Sequence, residues 1–502
     1  MRRTHLLAGV AVLLTTTAPV AAETLRGALV KAYNTNPTLA AERANVRAID
    51  ENVPIARSQG LPGVNLTSSY TENALNSAPS VNSPDRQLTG ATTLSVPVFN
   101  GGAVKNSVRA AETRVDAGQL GLRGTEANLF TNVVGAYMDV IRDEAIVSLN
   151  QQNVKVLDVN LQASRDRFQV GDLTRTDVAQ SDARLAVARS QLQTAQARLI
   201  SSRENYIRLV GTPPGELEVP PELPNLPADP NAAVGVALRN NPTLLAAQKS
   251  RDASAYDIDV ARAGRLPRVS VNVGGNYNNY LDSLGTSVGL PNSSTAGTVG
   301  VGLTVPLFQC GRPAAQVRQA QERRAQANEQ VIETERGVIS QARSAYAVWR
   351  SSLEVIASSE IAVNANKLSL EGVRAENSVG NRTILDILNA EQELLNSQVT
   401  LVTARRDAYV AGFALLAAMG EAEARDLGLD GGPLYDPVAN YQRVRHKIWD
   451  FGSQPDPALV GTSTAGTPAQ GSVVTRPLDP ILDTPVDRGV DTGTANPAGG
   501  AK

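Results

Sequence analysis

Two aspartates stand at one spacing from two glycines. Gly171 precedes Asp177 by six residues in VGDLTRTDVA (Val170 to Ala179), and Gly380 precedes Asp386 by six in VGNRTILDIL (Val379 to Leu388). Carboxylates could serve as acid and base, but that chemistry needs a pair converging on one cleft, and the sequence nominates no such pair. Other reactive groups are scarce. The 502 residues hold two histidines, His5 and His446, and one cysteine, Cys310. Histidine catalysis, His/Cys metal sites and disulfides are therefore nearly excluded by count, and no phosphate-cradling G-x-x-x-x-G-K run occurs. We expect neither catalytic residues nor cofactor nor metal.

The elements that carry these aspartates show themselves as a duplication. NTNPTLAAERA from Asn34 matches RNNPTLLAAQK from Arg239, and GLPGVNL from Gly60 matches RLPRVSV from Arg265, both with an offset of 205. SVPVFNGG from Ser95 then matches TVPLFQCG from Thr304 with an offset of 209, which persists through Gly171 and Gly380 to Gly211 and Gly420. A stretch that tolerates no net length change reads as packed helices, and the variable stretch before it reads as a loop between strands.

The periodicity agrees. Val133, Val140, Val147, Val154, Leu161 and Phe168 form a seven-residue series, with Ala342, Trp349, Ile356, Val363, Leu370 and Asn377 at the equivalent positions. After each turn, Val178, Leu185, Leu192, Leu199 and Tyr206 are mirrored by Ile387, Leu394, Leu401, Ala408 and Leu415. Four long coiled-coil helices follow. The first, 101–167, would reach about 100 Å, its return, 173–210, about 57 Å, and the helix after NPTL, 38–59, about 33 Å. Stacked end to end, the two shorter helices would match the long one.

Between the NPTL helix and the long helix the texture changes to period two. Val64, Leu66 and Tyr70 alternate with Asn65, Thr67, Ser69 and Thr71, and Leu88, Leu94, Val96 and Val98 alternate with Thr89, Thr93 and Ser95. The second copy repeats this at Val269, Val271, Val273 and Tyr277, then at Val299, Val301, Leu303, Val305 and Leu307. Such alternation fits a soluble sheet with one wet face or barrel strands between lipid and water. The nearly uncharged polar faces favour the barrel. Four strands cannot close one. Two copies would give eight strands around a filled interior, and three would give twelve around a lumen. Pro97 and Pro306 fall at the expected strand-to-helix corners, where no ladder hydrogen bond is needed.

The ends bound the setting. Arg2 and Arg3, an apolar run over 6–14 and APVAAE read as a secretory signal cleaved after Ala22, with no cysteine nearby to carry a lipid. Without the leader, 45 basic residues face 49 acidic ones, which argues against nucleic acid.

The duplicated NNPTL, LP.V, VPLF..G and VGNRTILDILNAEQELLNSQ resemble the TolC-type outer-membrane efflux proteins from about Thr24 to Gly420. The resemblance implies a mostly α fold with membrane β. Its duplicated unit has two strands plus long coiled-coil helices, and a homotrimer forms a 12-stranded outer-membrane β-barrel continued by an α-helical barrel through the periplasm. It implies an exit duct that takes small molecules or proteins from an inner-membrane transporter of ABC or RND type through a periplasmic adaptor, with outer-membrane lipid around the strands. Carried over by position, Asp177 and Arg382 match a pair that locks the closed end. Asp386 matches one acidic ring, and the second ring falls at Asn389. Asn389 is uncharged, and Asn377 replaces the family's tip tyrosine, so the resemblance carries less for the tightness of closure. Val170, Gly171, Leu173, Val379, Gly380 and Thr383 would form the adaptor-docking tips, exposed apolar and small groups that need a cover. The rival reading of the whole chain is a soluble periplasmic coiled-coil adaptor, which leaves the strand pairs unused.

The expected organisation is a leader (1–22), a first repeat (23–211) with strands over about 63–99 and a helix pair over 101–210, and a Pro-rich linker (212–232). A second repeat (233–420) follows, with strands over about 268–308 and a helix pair over 311–419. A periplasmic segment (421–451) is expected to lie against the shaft through Tyr435, Tyr441, Trp449 and Phe451, before a disordered tail (452–502). Cys310 is expected to be a small packing residue.

Overall fold

The computed structural model describes residues 22–76, 84–224, 226–283, 291–429, 432–452 and 456–483. The leader, apart from Ala22, lies outside the described residues. The first repeat runs α1 (Leu25–Thr35), α2 (Pro37–Asp50), α3 (Asn52–Ser58), β1 (Gly63–Glu72), β2 (Arg86–Phe99), α4 (Ala103–Gln169) and α5 (Arg175–Val210). The second runs α6 (Pro230–Asn240), α7 (Pro242–Ala263), β3 (Arg268–Asn279), β4 (Ser293–Thr304), α8 (Arg312–Ser378) and α9 (Ile384–Met419), and α10 (Pro437–Val444) follows. Both long helices have 67 residues and both return helices 36, as the constant offset requires.

The short helices do stack end to end, and asparagine is the joint. Asn36 Oδ1 accepts from Thr38 N at 2.9 Å, capping α2, while its Nδ2 donates to the Leu209 carbonyl of α5 at 2.9 Å. Asn241 does the same for α7 and α9, accepting from Thr243 N at 3.0 Å and donating to the Ala418 carbonyl at 2.9 Å. A helix start leaves N–H groups free and a helix end leaves carbonyls free, and a carboxamide can serve both at once. The prolines at Pro37 and Pro242 occupy the first helical position, where no donor is missed. The repeated N-P therefore marks a junction.

One expected helix is broken. The 38–59 segment splits into α2 and α3 around Glu51, because Pro54 has no N–H to return to Asp50. Asp259 stands at the equivalent place in α7, which continues unbroken. Most of the heptad series is buried, although Phe168 at its tip end is exposed. Val133, Val140, Val147, Leu199 and Tyr206 are buried in the first repeat, and Ala342, Val363, Leu370, Leu394 and Leu401 in the second.

The four strands form one antiparallel sheet in the order β1-β2-β3-β4. Its register puts Val64, Leu94, Val273 and Val299 in one row and Val96, Val271 and Val301 in another, all on one face. The opposite face carries the rows Asn65, Thr93, Gly274, Thr298 and Ser69, Thr89, Asn278, Ser294. Val64, Leu66, Val299 and Val301 of the apolar face stand exposed.

The two prolines are not equivalent. Pro97 lies inside β2 opposite Ser270, and the register then slips by one, so that Phe99 pairs with Val269 and rejoins the apolar face. Pro306 lies beyond β4, which ends at Thr304, so the strand expected to reach 308 is shorter. The corners are made by positive-φ residues: Gly101 and Gly102 in one copy, Cys310 and Gly311 in the other. Cys310 is exposed, so its expected packing role is corrected to a turn position.

The carboxy-terminal part departs most from expectation. Residues 456–483, expected to be disordered, lie along the helices without helix or strand of their own. Arg203 donates to the Gly471 and Val473 carbonyls, Arg405 pairs with Asp479, and Gln398 donates to the Leu482 carbonyl. Leu482 is 3% exposed. A few apolar anchors and helix-borne donors suffice to hold a segment whose composition alone suggested none. Residues 484–502 lie outside the described residues.

Candidate functional site

The tips that join α4 to α5 and α8 to α9 are built alike. Gly171 takes φ +88° and Gly380 φ +79°, and a Cβ at either would meet nothing within 4 Å. The backbone conformation, not crowding, requires glycine there. The helix ends close the same way. Asp172 N–H donates to the Arg167 carbonyl and Asn381 N–H to the Glu376 carbonyl, both at 2.9 Å, satisfying carbonyls the helix leaves free.

The aspartate six residues after each glycine is then explained by the next helix. Thr174 caps α5 and Thr383 caps α9, and each forms a reciprocal capping box with the aspartate three residues on. Asp177 Oδ2 accepts from Thr174 N at 2.9 Å and Oγ1 at 2.7 Å. Asp386 Oδ2 accepts from Thr383 N at 3.0 Å and Oγ1 at 2.8 Å. These hydrogen bonds hold both carboxyls below the usual carboxylate range, with the Thr174 hydroxyl leading at Asp177 and the Thr383 backbone N–H at Asp386.

Within one chain the structure does not bring Asp177 and Arg382 together. Arg382 Nε instead donates to Glu376 Oε2 at 2.7 Å, which raises the guanidinium's pKa. Asn389 accepts from Arg184 Nη2 at 2.9 Å, tying α9 to α5. Asn377 donates to the Arg382 carbonyl at 2.7 Å and lies 3.5 Å from Arg167 Nη1. Arg167, Arg184 and Glu376 were missed by sequence reasoning. Glu376, six residues before Arg382 across a known turn, was the one within reach of it.

The tip surface is apolar where expected. Val170 is 80% and Val379 70% exposed, Leu173 is half-buried, and Gly171, Gly380 and Thr383 are exposed. Among the described residues, no group of three or more His, Cys, Asp or Glu side chains could hold a metal ion. No described helix is long and apolar enough to cross a membrane.

The sequence profile of the outer membrane efflux protein family matches residues 28–212 and 233–421, one match per repeat. The chain is 35% identical to the outer membrane efflux protein BepC of Brucella suis, covering 85% of this chain and 91% of that protein. It is 27% identical to the outer membrane protein TolC of Escherichia coli, covering 83% of this chain and 86% of that one. The fold superposes on the Campylobacter jejuni CmeC outer membrane channel with a TM-score of 0.70 at 16% identity, covering 84% of this chain and 89% of that one. With both repeats matched and the sheet, long helices and tips arranged as described, the chain belongs to the outer membrane efflux protein family.

Proposed function

We propose that this chain is one third of an exit duct that spans the outer membrane and runs on through the periplasm. One observation carries the assembly: β1 and β4 are free edges of a sheet whose apolar face is exposed. The strands alternate in direction, so β4 of one copy meets β1 of the next antiparallel and the sheet can close by repetition. Three copies give twelve strands, with a lumen lined by the uncharged rows of Asn, Thr, Ser and Gly. The same threefold operation arranges the long helices as a hollow shaft about 100 Å tall.

Such a duct passes its cargo without performing chemistry. Its tips, with Val170, Gly171, Leu173, Val379, Gly380 and Thr383 outward, would dock a periplasmic adaptor that joins the duct to an inner-membrane transporter. Asp177, Arg382, Asp386 and Asn389 would surround the entrance, with Asp177 reaching Arg382 only between neighbouring coils. Three Asp386 carboxylates near the axis, kept ionised by their caps, would attract cations. Sedimentation in detergent should give a trimer, and planar bilayers should show a low conductance that Arg382→Ser raises. A stable monomer in plain buffer would end the reading. A trimer whose conductance is unmoved by Arg382→Ser would remove only the lock.

A further inference from the structure

The chain after α9 makes a detour that the duct itself does not need. Tyr435 N–H donates to Tyr33 Oη, and Asn440 Nδ2 then donates to Asp50 Oδ2 at the end of α2. Tyr441 packs on the small core of Val53, Ala56, Ala111 and Val115. At Arg445 and His446 the chain reaches Arg57, whose Nη1 donates to the Arg445 carbonyl at 2.9 Å and also contacts His446 Nδ1. Arg57 is six residues before β1 begins at Gly63. By 461–462 the chain is back beside Pro37 and Gly211. Residues 445–451 are thus the apex of an excursion to the base of the strands and back.

The apex was expected to lie against the shaft, and it does not. Tyr435 and Tyr441 pack, but Trp449 is 76% and Phe451 86% exposed, and Ile448 is exposed beside them. Trp449 and Phe451 touch edge to face, with ring centroids 5.9 Å apart. Exposed basic residues precede them at Arg443 and Lys447, and the single acid within the group is Asp450. The sheet's apolar face ends in the row Phe99, Val269 and Leu303, with Phe308 exposed just beyond β4.

We propose that 445–451 is a lipid foot. It inserts Ile448, Trp449 and Phe451 at the headgroup level of the leaflet facing the periplasm, with Arg443 and Lys447 on the phosphates of anionic phospholipid. Tryptophan collects at membrane–water boundaries because its ring is apolar and its N–H tolerates water, and Ile448 and Phe451 add apolar surface to bury beside it. Basic neighbours add attraction to an anionic surface. Arg57 holds the apex only six residues before β1, and the strands' apolar face is the surface assigned to lipid, so lipid is the occupant we commit to, and the inference rests on that barrel reading. The foot ties the carboxy-terminal segment to the membrane and so sets the height of the shaft beneath it.

The chain's two tryptophans, Trp349 and Trp449, make the test direct. In full-length Trp349→Phe protein reconstituted in vesicles of phosphatidylcholine and phosphatidylglycerol with brominated acyl chains, Trp449 emission should be quenched by the lipid and shielded from acrylamide. Arg443→Glu with Lys447→Glu should weaken that quenching in anionic vesicles but not in purely zwitterionic ones. Quenching by acrylamide alone, or protection from both agents as at a protein contact, overturns the proposal. A control carries Val299→Trp on a Trp349→Phe, Trp449→Phe background. If its strand tryptophan is quenched and Trp449 is not, the foot alone fails. If neither is quenched, the barrel reading fails and takes the foot with it.

Discussion

Replacing Asn36 by alanine cuts the joint between α2 and α5, and its cost can be worked from the structure. The side chain accepts from Thr38 N and donates to the Leu209 carbonyl, both at 2.9 Å, and the residue is 5% exposed. Loss of an N-cap acceptor costs about 1 kcal/mol. A carbonyl stripped of its donor where water has little access costs about 1–3 kcal/mol more. Asn36→Ala should therefore destabilise the junction by about 2–4 kcal/mol. Asn36→Ser keeps a capping oxygen but is too short to reach Leu209, so it should lose only the second contribution. Hydrogen exchange of the full chain in detergent reads this locally, at the first turn of α2 and the last turn of α5. Asn241→Ala should behave alike at α7 and α9, and the double variant should show the sum, since the sites share no partner. If Asn36→Ala changes protection by less than about 0.5 kcal/mol, the level of an indifferent surface change, the asparagine is not the joint.

Three further outcomes follow from particular contacts. Gly211→Ala and Gly420→Ala both force a residue with a Cβ into positive φ, at about 1 kcal/mol. Only at Gly420 would the new Cβ also collide with the Asn240 backbone carbonyl, so thermal melts should rank Gly420→Ala clearly the more damaging. Leu482→Ala should remove about 2 kcal/mol or more from the docked 456–483 segment, read as faster proteolysis there with the helical circular-dichroism signal intact. Unchanged cleavage would refute the anchor. Burial outweighs the Arg374 partner at Glu391, so this carboxyl's folded pKa is raised. Its contribution to stability is therefore present in acid and lost as pH rises through the folded pKa. Glu391→Gln should flatten that slope above the ordinary glutamate range in pH-dependent melts. A variant with the parent's slope would show that another group carries it.

Sequence and structure divide the protein in a physically sensible way. Period, offset and turn residues are local or near-local quantities. The four long helices, the alternating strands, both glycine turns and the duplication were accordingly legible before any coordinate. So was the stacking of the shorter helices, although not the role of Asn36 and Asn241 in it. The tips were read correctly as reversals, but Asp177 and Asp386 were read for charge, and only the local hydrogen-bond geometry showed that each also closes a capping box with the threonine three residues before it.

What the sequence by itself determined is therefore the parts and their lengths, because side-chain period and backbone propensity act within a few residues. What only the tertiary structure decided is where distant pieces meet. Arg184 turns to Asn389, Phe99 slips one place to rejoin Val269, and a tail poor in large apolar residues lies ordered against the helices. Each of these depends on donors, acceptors or apolar surface supplied by another segment. No window of the sequence contains both halves of such a contact, and so no window could disclose it.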